Sequence, residues 1–325
     1  MRCLVIGGGG FIGTAACKEL MRRGVETIAA GRTSRPYGTF TSFIAFDRTD
    51  PAQLHDALGT VRPDVVLDLA AYRPAEVQTV LDSFEGERYV FVSSGIVYPD
   101  LSGRAAREED FVRVEGPAPS EPWPAPPAMT TEKYREGKRW CETVLARSPQ
   151  ARWVVIRPPA VFGADDRTLR IAAYLQRLED GGPLLVPDET YGRAAGLAWV
   201  RDVGYACALA CDLRRHATGP YNVSFVGVTL RDLLAAAAQA MNRPLAVVRV
   251  PYADLPDGAS PYGPAPTWPA GYDLTRIRHD LGFEPSALED ALAETLAWYL
   301  ARRPSHPGYA GRANELEMAA RRLPA

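Results

Sequence analysis

Cys3-Leu4-Val5-Ile6-Gly7-Gly8-Gly9-Gly10-Phe11-Ile12-Gly13 sets an uninterrupted apolar run directly against a block of glycines. The apolar run has the length of a buried strand, and Thr14 to Arg23 then reads as a helix. In such a strand–turn–helix unit Gly7 permits the tight turn, Gly10 lets the backbone approach an anion, and Gly13 lets the helix pack closely. The amides that open the helix, at Phe11 and Ile12, face that anion. Gly7, Gly10, Phe11, Ile12 and Gly13 are therefore the expected cradle of a dinucleotide pyrophosphate.

Outward from this unit the pattern repeats. Thr27 to Ala30, Phe43 to Phe46, Val65 to Leu69, Tyr89 to Val92 and Trp153 to Ile156 read as strands. Ala52 to Leu58, Glu76 to Phe84 and Thr131 to Leu145 read as helices. Strands alternating with helices predict an α/β, doubly wound parallel sheet of the Rossmann type, because right-handed crossovers put helices on both faces. The proline-rich stretch 117–127 reads as a loop or lid, since each proline lacks an amide donor. Beyond Arg157 the alternation fades, with helices at Leu169 to Glu179, Val203 to Cys211, Leu230 to Met241 and Ala287 to Ala301, and a proline- and glycine-rich link from Pro251 to Pro269. Residues 1–165 are read as the dinucleotide-binding domain. Residues 166–325 are read mainly as a smaller substrate-capping region, with segments near 197–225 returning to the core.

Composition narrows the partners. The chain has 325 residues, 46% hydrophobic, with 37 basic against 39 acidic side chains and a formal charge of -2. No global positive field exists to gather phosphate backbones, so nucleic acid is not expected as a partner. The amino-terminal apolar run is too short for a signal segment or membrane span, which predicts a cytoplasmic protein without a membrane partner. The five cysteines lack CxxC spacing and the four histidines lack partners at ligand spacing, so no metal site and no disulfide framework is expected.

The end of the second strand bears on the cofactor. Sites that prefer NAD carry an acidic residue there for the ribose 2'-hydroxyl. This chain instead reads Gly31-Arg32-Thr33-Ser34-Arg35, and Arg32 and Arg35 suit a 2'-phosphate because guanidinium geometry matches that anion. NADP(H) is the expected cofactor, with NAD(H) possible. Asp47, just past the third strand, suits the adenine amino group.

Tyr134 and Lys138 lie four residues apart in a predicted helix and share one face. A tyrosine is a poor base at neutral pH, and a nearby ammonium favours its phenolate. The chain has only three lysines, Lys18, Lys133 and Lys138, so this spacing is rare by chance. The strand Val90-Phe91-Val92-Ser93-Ser94 ends in hydroxyls at the carboxyl edge, where open α/β sheets bind ligands, and Ser94 can hydrogen-bond a substrate oxygen.

Together these stretches resemble the extended short-chain dehydrogenase/reductase superfamily, the NAD(P)-dependent epimerase/dehydratase group, from Met1 to Tyr299. The resemblance rests on the glycine loop, Ala70-Ala71 after the fourth strand, Ser93-Ser94, Tyr134 to Lys138 with Glu142, Arg157 to Gly163, Val200 to Val203, Asn222 and Tyr272 to Pro285. It implies that Ala70 and Ala71 lie beneath the cofactor and that Pro158 and Val161 border nicotinamide and substrate. It further implies that Ser94 orients the substrate, Tyr134 transfers the proton, and Lys138 binds the nicotinamide ribose while lowering the tyrosine's pKa. Family members pair two helices into a dimer, which here would use the stripes Val77, Val80, Leu81, Phe84 and Trp140, Val144, Leu145. A homodimer is the expected assembly.

Three departures bear on the reaction. Gly95 and Ile96 stand where the family's dehydratases carry an Asp-Glu pair, which disfavours dehydration. Ala195 stands where nucleotide-sugar epimerases carry a diphosphate-binding arginine, leaving Arg193 or Arg201 for that role, and Leu255 to Gly271 contains no basic residue for a second clamp. The expectation is reversible hydride transfer at a carbinol or ketone of a sugar-like or other small polar metabolite, by a reductase, dehydrogenase or epimerase. The alternatives are a nucleotide-sugar 4-epimerase or 4-ketoreductase, and, in another class, a cofactor-binding protein without turnover.

Overall fold

The computed structural model describes residues 1–33, 39–101, 103–119, 123–124, 129–149, 152–261 and 269–322. Much of the expected loop at 117–127, and 262–268 of the later link, lie outside the described residues. The first half alternates as β1 (Arg2–Ile6), α1 (Phe11–Arg22), β2 (Glu26–Gly31), β3 (Ser42–Ala45), α2 (Pro51–Val61), β4 (Val65–Asp68), α3 (Pro74–Ser83), β5 (Arg88–Val92), α4 (Thr131–Arg147) and β6 (Trp153–Arg157). It continues as β7 (Ala160–Phe162), α5 (Arg170–Asp180), β8 (Leu184–Pro187), β9 (Leu197–Trp199), α6 (Val200–Cys211), β10 (Gly219–Asn222), α7 (Leu230–Ala240), β11 (Val247–Val250), α8 (Thr275–Leu281), α9 (Leu288–Arg302) and α10 (Arg312–Arg322).

Seven of these strands form one sheet in the order β10-β6-β5-β4-β1-β2-β3, and the pairings are parallel. This is the doubly wound Rossmann architecture. A parallel sheet covered on both faces needs strands apolar throughout, which is why Cys3 to Ile6 lacks a polar alternation. On one face α1 contributes Ala16, Cys17 and Leu20, and α6 packs beside it with Val203 and Cys207. That approach is close: a Cβ at Gly204 would lie 2.7 Å from the Ala15 carbonyl carbon. On the other face Leu54 and Leu58, Val77 and Val80, and Cys141 and Leu145 cover the sheet from α2, α3 and α4. Each such valine or leucine contributes about 1.5–3 kcal/mol by its burial. Strand order reverses beside β1 and β4, which opens a crevice above their carboxyl ends.

Apart from Trp140, the two expected dimer stripes belong to this core. Val77, Val80, Leu81, Trp140 and Leu145 are buried, and Phe84 and Val144 pack against the same cluster. The stripes cover the chain's own sheet, so their pattern carries no argument for an interface.

The back half holds short elements that the sequence left unmarked. β7 pairs with β9 and β8 with β11, in stretches of three and four residues. Runs that short have no measurable period. α10 closes a small cluster of Leu185, Val248, Val250 and Ala319, tied to α5 by the buried Arg177–Glu315 pair. Arg312 bridges Asp180 at 2.7 Å and Glu315 at 3.0 Å. Among the described residues no helix is long and apolar enough to cross a membrane.

Candidate active site

The phosphate loop is built as glycine chemistry requires. Gly7 sits at φ +86°, in the left-handed region, with Gly10 N donating to its carbonyl at 2.9 Å. A Cβ at Gly13 would lie 2.2 Å from the Gly7 oxygen and 2.8 Å from the Gly8 Cα, so only glycine lets α1 start this close to the turn. Gly10 is the N-cap of α1 and no side chain caps the helix. The first amides, at Phe11 and Ile12, therefore keep the open donors of a helix start. This cradle fits a dinucleotide pyrophosphate. Its neighbour is Ala70, whose Cβ lies 3.4 Å from where a Gly7 Cβ would sit.

At the far end of the crevice Arg32 is exposed just after β2. Arg35 and Ser34 lie outside the described residues. The Asp47 carboxylate accepts from Thr49 N at 2.9 Å and Thr49 Oγ1 at 2.8 Å. Those bonds, with the positive charges of Arg32 and Arg73, hold its pKa below the usual range. Arg32 and Asp47 thus share one neighbourhood. Beneath them lies a network the sequence did not reveal: buried Arg48 grips both Asp68 oxygens, at 2.5 and 2.6 Å, and Asp68 accepts from Ala70 N at 2.9 Å. This fixes the turn that carries Ala70 and Ala71.

Ser94, Tyr134 and Lys138 converge at the carboxyl edge of β5. Ser94 Oγ accepts from Ile96 N at 3.3 Å and lies near enough to the Tyr134 hydroxyl to act on its pKa. Burial of that phenol raises its pKa, while Ser94 pulls the other way. Pro158 reaches the same point, its carbonyl accepting from Gly95 N at 2.8 Å. Lys138, 2% exposed, donates to the Ala71 and Val92 carbonyls, each at 2.9 Å. Its Nζ lies 4.8 Å from the Tyr72 ring centre, 4.7 Å from Phe91 and 5.8 Å from Tyr134. Burial raises the Tyr72 pKa and the Lys138 ammonium works against that rise. Tyr72 was not among the residues expected from sequence, because nothing in its local spacing marks it.

The remaining candidates separate. Val161 is buried in β7. Arg193 is half-buried, and its Nη2 lies 2.9 Å from where a Gly103 Cβ would sit, beside the segment that follows β5. Arg201 is exposed, pairs with Glu294, stacks over Trp199 at 5.3 Å, and lines a cavity of about 1020 Å³ with Gly9, Gly10 and Lys18. Tyr272 fills the space after Ser94: a Cβ at Gly95 would lie 2.2 Å from its hydroxyl, a buried oxygen with no partner among the described residues. Beside it Arg157 binds both Glu142 oxygens, at 3.0 and 3.1 Å through Nε, and donates to the Tyr98 hydroxyl at 2.8 Å. Tyr98 in turn donates to Asn222 at 2.6 Å.

Residues 3–83 match the model of the NAD dependent epimerase/dehydratase family. No curated protein matches the chain. The UDP-glucose 4-epimerase of Thermotoga maritima, solved with UDP-glucose, is similar at TM-score 0.70 and 19% identity, over 94% of this chain and 100% of that one. The UDP-glucose 4-epimerase of Thermus thermophilus, in complex with NAD, is similar at TM-score 0.65 and 22% identity, over 93% and 100%. The UDP-glucuronic acid 4-epimerase of Bacillus cereus, with UDP-glucuronic acid and NAD, is similar at TM-score 0.65 and 18% identity, over 93% and 99%. At these identities the structural likeness establishes the fold, and the family match agrees with the resemblance carried by the glycine loop.

Proposed function

We propose that this chain, whose residues 3–83 carry the NAD dependent epimerase/dehydratase signature, is a nicotinamide-dependent oxidoreductase acting reversibly on a carbinol or ketone of a sugar-like or other small polar metabolite. The observation that carries this reading is the meeting of Ser94, Tyr134 and Lys138 at the sheet edge that also holds the phosphate loop. When bound, the nicotinamide group supplies the hydride exchange at the substrate carbon. Ser94 holds the substrate oxygen, and Tyr134 Oη takes its proton on oxidation and returns it on reduction. Burial raises the Tyr134 pKa against Ser94 and the Arg170 charge, so its base form needs a further cation, a role we assign to Lys138, whose Nζ lies 5.8 Å from the Tyr134 ring centre. Elimination of water has no carboxylate to serve it after Ser94, where Tyr272 occupies the space.

For the cofactor, Arg32 after β2 and the missing carboxylate support NADP(H), while the similar Thermus thermophilus and Bacillus cereus structures hold NAD. A nucleotide-sugar 4-epimerase is the second reading, supported by the similar structures solved with UDP-glucose and UDP-glucuronic acid. Mass spectrometry of the purified protein separates them: retained NAD(P)+ supports an epimerase, an empty site a reductase with exchangeable cofactor. Tyr134→Phe tests the whole reading. Turnover should fall by about 10² to 10⁴-fold with cofactor affinity nearly intact, and a Phe variant with full turnover would end it.

A further inference from the structure

We propose that Tyr72 is a positioning residue, whose ring, together with that of Phe91, holds the Lys138 ammonium at the place from which it acts on Tyr134. The inference rests on the function proposed above and adds a residue to its machinery.

An ammonium has three N–H donors. Two are taken by the Ala71 and Val92 carbonyls, and no carboxylate hydrogen-bonds the third among the described residues. Burying a charge this deeply requires compensation. Here it comes from the carbonyl dipoles and from the negative faces of Tyr72 and Phe91, both well inside the range of about 6 Å over which a cation and a ring attract. Tyr72 is itself held rigidly. Its amide and that of Arg73 donate to the Glu76 carboxylate at 2.7 and 3.0 Å, and its ring packs against Tyr134 with centroids 5.9 Å apart. Two carbonyls fix the ammonium, and the Tyr72 ring keeps it from drifting away from them.

The other groups facing this cluster are Asp68 from β4, Glu76 from α3, Arg48 from the turn after β3, Cys141 from α4, Arg170 from α5 and the Ser94 hydroxyl. None changes its identity when Tyr72 is replaced. Loss of the ring should therefore act through Lys138, whose displaced charge supports the Tyr134 phenolate less well and lets the Tyr134 pKa rise.

The test needs no substrate. The full chain, carrying isotope-labelled tyrosine and saturated with NAD+, is titrated by NMR, and the Tyr134 signal is assigned by its loss in Tyr134→Phe. Tyr72→Leu and Tyr72→Met should each raise the Tyr134 pKa by about one unit. Tyr72→Phe, which keeps the ring, should titrate like the parent, and Lys138→Met should raise the value further. If Lys138→Met leaves Tyr134 unmoved, the proton pair of the proposed function falls and this inference with it. If Lys138→Met moves Tyr134 but removal of the Tyr72 ring does not, or if Tyr72→Phe shifts it as much as Tyr72→Leu, the positioning role alone is overturned.

Discussion

Replacing Gly13 by alanine should separate cofactor binding from folding. The new Cβ would stand 2.2 Å from the Gly7 oxygen, 2.8 Å from the Gly8 Cα and 2.9 Å from the Gly7 carbonyl carbon, against ordinary contacts of 3.4–4 Å. All three obstacles are backbone, so no rotamer can yield and the turn itself must open by about an ångström. Overpacking of this kind costs about 1–3 kcal/mol. Alanine regains about 1 kcal/mol of helix propensity in α1, so the free chain should lose no more than about 2 kcal/mol. The displaced turn carries the larger effect. A charge-assisted hydrogen bond to a phosphate contributes about 1.5–3 kcal/mol, and losing one weakens binding roughly 10 to 150-fold. Calorimetry with NADPH and NADH, beside thermal unfolding of the ligand-free protein, measures both effects. Gly59→Ala is the control: Gly59 lies in α2 with nothing within 4 Å of its Cβ position, and it should gain up to about 1 kcal/mol of stability while binding normally. A Gly13→Ala protein that binds both cofactors like the parent would refute the packing argument.

Arg32→Ala should lower the NADPH/NADH affinity ratio, and an unchanged ratio by the same calorimetry would remove Arg32 from the 2'-phosphate site. Glu142→Gln leaves the buried Arg157 guanidinium without its counter-charge and should lower the unfolding free energy by about 3 kcal/mol, an effect absent if the urea midpoint stays put. The Asp180 carboxyl sits below its ordinary pKa: burial pushes it up, but Arg312, the Gly182 amide and Tyr309 outweigh that. A depressed carboxyl stabilises the folded state above its unfolded pKa of about 3.9 and loses that contribution as pH falls through the lower folded value. Amides of 312–322 should therefore lose protection from hydrogen exchange below about pH 4, and protection that persists at lower pH would contradict the tether.

How much of this was legible in the chain depends on the range of the physics involved. Gly7, Gly10 and Gly13 could be read directly, because a glycine's need is local: a positive φ, a missing Cβ and a helix start all lie within seven residues. The four-residue spacing of Tyr134 and Lys138 was legible for the same reason, as was the sheet, whose buried strands must be apolar throughout. The apolar stripes of α3 and α4 were equally visible, but a stripe records only that one face is buried, and it was the fold that turned both faces onto the chain's own sheet. Contacts between distant segments left no such trace. Lys138 finds the Ala71 carbonyl 67 residues away and Arg48 finds Asp68 across 20. Tyr72 and Tyr272 reach the site only because the chain's turns bring them there. Arg193 and Arg201, eight positions apart, were interchangeable as sequence. The turn before β9 and the start of α6 carry them into different surroundings, one beside Gly103 and the other beside Glu294 and Trp199 on the cavity that Gly9 and Gly10 also line. A side chain's direction there is set by the backbone that holds it, and a three-residue strand such as β9 is too short to announce its period.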